Sequence, residues 1–129
     1  MNLINDKITI NSFNCRGLRD LNKRNAVFNW LKTKHLGLTL LQETHSTLAD
    51  ENYWENQLGG QIFYSHGTFQ SKGVAILIPK HLAEKVKVNN IKRDNEGRII
   101  ILDCQIDDND IILANIYAPT KDHQACSTD

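Results

Sequence analysis

Gly37-Leu38-Thr39-Leu40-Leu41-Gln42-Glu43-Thr44-His45 is a short apolar run that ends in a carboxylate. An apolar run of about four to eight residues behind a glycine reads as a buried strand. A carboxylate at the carboxyl end of such a strand lies where open α/β sheets gather their ligands, which makes Glu43 a candidate metal ligand or general base. A lone glutamate at a strand end more often just faces water, so the neighbouring segments decide what Glu43 means.

Upstream, Ile8, Ile10 and Ser12 alternate with Thr9, Asn11 and Phe13, the two-residue period of a strand that ends at Asn14. Cys15-Arg16-Gly17 forms a turn. Asn22 is placed to cap a helix over residues 23 to 34, with Val27, Trp30 and Leu31 as its apolar stripe and Gly37 as its stop. Strand, helix, strand in that order predicts a right-handed crossover and two parallel strands. Asn14 and Glu43 then end neighbouring strands on the same rim.

Downstream, residues 49 to 57 suit a short polar helix carrying Tyr53 and Trp54, ended by Gly59-Gly60. From there the period changes. Residues 61–65, 73–78, 86–91, 98–106 and 110–117 are short, β-branched and separated by clusters of Gly, Pro, Asn or Asp, as in a meander of strands. The pattern predicts an α/β chain with mostly one mixed sheet and one or two helices. So few helices leave a sheet face with nothing over it, and residues 121 to 129 offer only polar sequence. An apolar face of that kind is costly in water. It leads us to expect a truncated domain, and self-association through the uncovered sheet.

Fifteen basic residues balance fifteen acidic ones, so the chain makes no general electrostatic case for gripping nucleic acid. Phosphate chemistry here would need a metal cation. Cys15, Cys104 and Cys126 match no zinc pattern or disulfide framework and read as reduced thiols of an intracellular protein, nuclear or cytoplasmic. No targeting signal is evident. No run approaches the roughly 20 apolar residues of a membrane span, so no membrane partner is expected, nor any small-molecule cofactor.

An amide and a carboxylate on one rim suit Mg²⁺, with Mn²⁺ as an alternative ion, because Mg²⁺ keeps several waters and takes one or two carboxylates plus phosphate oxygens. Asn14 and Glu43 are the expected metal ligands. A third strand ends at Asn115-Ile116-Tyr117-Ala118-Pro119, where Asn115 and Tyr117 share a face and Pro119 ends the ladder. The Tyr117 hydroxyl is suited to a phosphate oxygen.

These residues carry a resemblance. Phe13-Asn14-Cys15-Arg16-Gly17-Leu18, Leu41-Gln42-Glu43-Thr44-His45, Lys72-Gly73-Val74-Ala75-Ile76-Leu77, Glu96-Gly97-Arg98 and Asn115-Ile116-Tyr117-Ala118-Pro119 stand in the order and approximate spacing of the endonuclease/exonuclease/phosphatase superfamily. More narrowly, the chain resembles the amino-terminal half of the apurinic-type endonuclease domain of LINE-type, non-LTR retrotransposon proteins. The resemblance implies a partial, truncated four-layer α/β sandwich, with residues 1–129 the amino-terminal portion of a single domain whose carboxyl-terminal half is missing. It also implies a Mg²⁺-dependent DNA endonuclease that nicks a target by phosphodiester hydrolysis, with DNA as partner of the full-length parent. Carried over residue by residue, it gives catalytic roles to Asn14, Glu43 and Tyr117: Glu43 as principal Mg²⁺ ligand, Asn14 beside it, and Tyr117 on the scissile phosphate. His45 and Asn115 are the expected substrate contacts. Arg98 is expected to be structural.

The chain also departs from the superfamily pattern. Arg16 stands where apurinic endonucleases often carry an acid two residues after the first Asn. Neither the Gly-Asp-x-Asn block nor the Ser-Asp-His block occurs in these 129 residues. Those blocks carry the groups that orient and deprotonate the attacking water, and loss of a positioned base alone costs about 10²- to 10⁴-fold. The remaining histidines, His35, His66, His81 and His123, fall at turns or element ends and are expected to be solvated. The isolated chain is therefore expected to be inactive. A phosphoinositide phosphatase or a deadenylase of the same superfamily is the alternative activity, and a non-catalytic remnant serving as a binding module is the alternative class.

Overall fold

The computed structural model describes residues 7–118. Pro119, His123, Cys126 and the polar carboxyl-terminal stretch lie outside the described residues. The strand-helix-strand unit forms as expected: β1 (Ile10–Asn14), α1 (Leu21–Thr33) and β2 (Leu38–Gln42), with β1 and β2 parallel and Asn14 paired with Gln42. A 3₁₀ turn at Leu48–Asp50 leads into α2 (Glu51–Leu58), which Gly59 ends at φ 78. Then come β3 (Gln61–Ser65), β4 (Val74–Ile78), β5 (Val86–Arg93), β6 (Ile99–Ile106) and β7 (Asn109–Ile116).

The seven strands divide between two sheets, which corrects the expectation of mostly one mixed sheet. One sheet has the order β1-β2-β4-β3, and the other is the antiparallel meander β5-β6-β7. Strand β4 inserts between β2 and β3, so the sheet ends in β1 and β3, and the later strands pair with neither. Those strands pair with each other instead. The β6–β7 turn is tight, with Asp107 and Asp108 both at positive φ, 49 and 71, as a two-residue hairpin loop requires.

The first sheet is apolar on both faces. Leu38, Leu40, Val74, Ile76 and Ile78 point to the second sheet and meet Ile100, Leu102, Cys104 and Leu113. Leu41, Ala75, Leu77, Ile62 and Tyr64 point to the helices and meet Leu18, Phe28, Leu31, Trp54 and Leu58. This explains why β2 is a continuous apolar run while β6 alternates. Each fully buried Leu, Ile or Phe contributes about 1.5–3 kcal/mol. The outer face of the second sheet has no such cover among the described residues, and Ile112 and Ile116 are 70% and 61% exposed there. None of the helices described is long and apolar enough to cross a membrane.

Helix α1 begins earlier than expected, at Leu21, and ends at Thr33, beside its expected limit at residue 34. Asp20, not Asn22, is the cap, its carboxylate accepting the Lys23 N–H at 2.8 Å. The helix is capped by Lys34, with His35 in the left-handed region at φ 49, before Gly37 is reached. Its buried face is Arg24, Phe28 and Leu31, whereas Trp30 stays 44% exposed and sets its ring edge-on to Phe13. Gly37 serves a different purpose: a Cβ there would sit 2.0 Å from the Thr9 carbonyl oxygen. Gly37→Ala should therefore push β1 off β2, lowering stability by about 1–3 kcal/mol in a denaturant titration. A wild-type midpoint would show that β1 has room to move.

Candidate active site

The rim at the carboxyl ends of β1 and β2 is built by backbone pairing that continues past the strands. Cys15 N–H donates to Gln42 O at 2.9 Å, Gly17 N–H to Glu43 O at 2.6 Å and Leu18 N–H to Thr44 O at 3.1 Å. Glu43 turns into the left-handed region at φ 57, and this brings its carboxylate across to β1. There Asn14 Nδ2 donates to Glu43 Oε2 at 2.5 Å, while Asn14 Oδ1 accepts the Arg16 N–H at 3.0 Å. The two residues do converge. Asn14 turns its N–H, not its oxygen, toward the carboxylate, so in this arrangement it orients Glu43.

A non-glycine residue at positive φ persists only where its surroundings fix it. Two backbone bonds do so here, Thr44 N–H to Gly73 O at 3.0 Å and His45 N–H to Lys72 O at 2.9 Å. Gly73 lies at φ +96, and a Cβ on it would fall 2.3 Å from Thr44 Oγ1. Gly73 N–H in turn donates to Gly97 O at 2.9 Å. The Lys72-Gly73 and Glu96-Gly97 blocks thus support the Glu43 turn through their main chain. In the sequence they stand as blocks of the superfamily pattern with no role of their own, and nothing in their side chains announces this contact.

His45, also at positive φ, is half-buried beside Gly17. Burial holds its imidazole below the ordinary value, the Lys23 and Arg19 cations add to this, and the Glu43 carboxylate opposes it. Cys15 lies under the same turn, its Sγ 3.1 Å from Gln42 O, and burial pushes its thiol up to about 11. Lys23 Nζ donates to Cys15 O at 2.7 Å and thereby ties α1 to the rim. At the tip of the β3–β4 connection Phe69 is 62% exposed, and the Arg19 guanidinium lies 4.9 Å from its ring centroid.

Asn115 departs from expectation. It is 1% exposed, with its Nδ2 donating to Leu41 O at 2.9 Å and Ala75 O at 2.8 Å and its Oδ1 accepting from Gln42 Nε2 at 2.8 Å. Its polar atoms face the core and clasp the two sheets together, leaving nothing for a substrate. The strand period gave its face correctly, but that face meets the first sheet. Tyr117 donates its backbone N–H to Arg98 O at 2.8 Å, and its half-buried ring packs against the core between the sheets. His66, expected to be solvated, is engaged at both ring nitrogens, to Ser46 Oγ at 3.0 Å and Glu51 Oε2 at 2.6 Å.

Among the described residues no group of three or more His, Cys, Asp or Glu side chains could hold a metal ion. The donor set at the rim is one carboxylate with an amide beside it. That suits Mg²⁺, which keeps much of its water shell, and does not suit zinc, which takes a closed set of nitrogen and sulfur ligands. A cavity of about 770 Å³ opens at the other end of the first sheet, beside His35, Gly37, Pro79 and His81, and has no part in this site.

A two-sheet α/β core with an Asn–Glu pair across parallel strand ends defines a class, and residues 11–121 match the Endonuclease/Exonuclease/phosphatase family. The chain belongs to that family. More particularly, it is similar to the transposon TX1 uncharacterized 149 kDa protein of Xenopus laevis, 28% identical over 113 residues, which are 88% of this chain and 8% of that protein. Among solved structures, an AP endonuclease from Archaeoglobus fulgidus superposes with a TM-score of 0.65 at 22% identity, covering 88% of this chain and 42% of that one. TDP2 from D. rerio, complexed with a single-strand DNA product, gives 0.60 at 16% identity, covering 94% and 53%. The chain thus spans about half or less of the length of the proteins it matches.

Proposed function

We propose that residues 1–129 are the amino-terminal portion of one divalent-metal-dependent DNA endonuclease domain, and that they supply its metal- and phosphate-binding rim. The observation that carries this reading is the Asn14 Nδ2 to Glu43 Oε2 contact of 2.5 Å across the ends of parallel β1 and β2. The similarity to a transposon protein and the fold shared with an AP endonuclease and with DNA-bound TDP2 support the choice of DNA as substrate. Glu43 would hold Mg²⁺ or Mn²⁺, and a bound cation supplies the positive charge and Lewis acidity that a neutral chain lacks. Asn14 keeps the carboxylate turned to the rim. Tyr117 is proposed to contact the scissile phosphate. His45, held toward its neutral form, offers an uncharged contact to DNA beside Glu43. Phe69, exposed with Arg19 over its ring, presents an aromatic face and a cation at the same end, a combination suited to a nucleic acid strand.

These 129 residues contain neither the Gly-Asp-x-Asn nor the Ser-Asp-His block, so the chain alone has no evident group to deprotonate water. Its exposed Ile112 and Ile116 face is proposed to associate with itself when unaccompanied. Joining the carboxyl-terminal half of a related domain after residue 118 should restore Mg²⁺-dependent nicking of supercoiled plasmid, while the chain alone should leave the plasmid intact. A folded fusion that binds no Mg²⁺ and cuts nothing would favour a non-catalytic binding module.

A further inference from the structure

Four side chains behind the Glu43 turn form a hydrogen-bonded line that the site described above does not use. Thr44 Oγ1 lies 2.8 Å from Ser46 Oγ, Ser46 Oγ lies 3.0 Å from His66 Nδ1, and His66 Nε2 lies 2.6 Å from Glu51 Oε2. The Ser46 N–H also donates to Thr44 Oγ1 at 3.3 Å. The line joins the turn after β2, the first turn of α2 and the segment after β3. Its Thr44 and Ser46 end is 1% and 0% exposed, whereas the Glu51 side chain is 36% exposed. The Tyr64 ring stacks on His66 with centroids 4.7 Å apart and planes at 27°, which fixes the imidazole plane.

A histidine between a serine hydroxyl and a carboxylate has the bonding of a hydrolytic triad. Burial excludes that role, since no substrate can reach an Oγ with no exposure. What the line can do is fix the turn. Thr44 Oγ1 accepts the Ser46 N–H, and Ser46 Oγ is the acceptor that these bonds offer its own proton. The Ser46 proton then goes to His66 Nδ1, and the His66 Nε2–H goes to Glu51. Reversing that order leaves the buried Thr44 hydroxyl proton without an acceptor among these bonds, which is costly for a buried donor. The order therefore selects one imidazole tautomer and anchors Thr44, the residue after Glu43, to the Glu51 carboxylate.

We propose that His66 is a positioning residue for Glu43, acting through Ser46 and Thr44 with Glu51 as its anchor. Its link to function rests on Glu43 being the site carboxylate; the link to the turn itself does not. The test uses the full 129-residue chain, uniformly ¹⁵N-labelled. Long-range ¹H–¹⁵N spectra of wild type should show His66 protonated at Nε2. Ser46→Ala and Glu51→Ala should mix its tautomers and move the amide resonances of residues 43–45 more than those of the β3–β4 strands. Glu51→Gln, which still accepts from Nε2–H, should restore both signals. Mn²⁺ affinity, read by electron paramagnetic resonance, should fall about tenfold in Glu51→Ala and recover in Glu51→Gln, as for other supports behind a ligand. A Glu51→Ala chain with wild-type tautomer and amide shifts would overturn the proposal. So would shifts spread evenly over the sheet. If wild type binds no Mn²⁺, the metal reading of Glu43 fails, and the tautomer and amide shifts still decide the relay.

Discussion

Glu43→Gln, placed in the chain once its downstream half has been joined, should lower Mg²⁺-dependent nicking by about 10³-fold. A carboxylate-held cation contributes several kcal/mol to a phosphodiester transition state, and each 1.36 kcal/mol is roughly tenfold in rate. Glutamine keeps the shape and an oxygen that can still accept from Asn14 Nδ2, so the fold should survive. The loss should therefore appear at saturating DNA with little change in melting temperature. In the 129-residue chain the same substitution should abolish Mn²⁺ binding by electron paramagnetic resonance. Nicking that survives the change would remove Glu43 from the mechanism and leave the Asn14 contact as a strand-end clasp.

The second large effect belongs to Asn115 and falls on stability. Asn115→Leu removes the two donors that reach Leu41 O and Ala75 O and the acceptor for Gln42 Nε2, all inside the joint between the sheets. Stranded buried polar groups cost about 1–3 kcal/mol each, partly offset by the added methyl groups, so a net loss near 3 kcal/mol is expected. That corresponds to a melting temperature lower by roughly 10 °C. Asn115→Asp should do worse, because it would set a carboxylate against two carbonyl oxygens. Urea titrations with an unchanged slope would report both losses. A stable, normally melting Asn115→Leu chain would mean that the sheets are held by apolar packing alone.

Local periods and turn chemistry placed all seven strands within a few residues and both helices. The crossover rule then put Asn14 and Glu43 on one rim, as the strand register and the hydrogen bond between them show. What local pattern does not carry is the choice of partner. Residues 86–116 alternate as a half-buried antiparallel sheet does, whether that sheet extends a neighbour or lies across it, so the division into two sheets was not readable. Asn115 was placed on the right face of its strand, but the period does not say whether that face meets water or another sheet. His66 sits at an ordinary strand end, and its two partners lie 20 and 15 residues away in sequence. Its role arises only after the chain has closed.

The Glu43 turn leans on Gly73 and on the carbonyl oxygens of Lys72 and Gly73, none of which bears a reactive group. A chain can therefore keep Asn14, Glu43 and Tyr117 and still lose the Glu43 turn through one change at position 73. Survival of the three polar residues is a poor measure of whether the turn still forms. The absence of a side chain at position 73 has to be inherited with them.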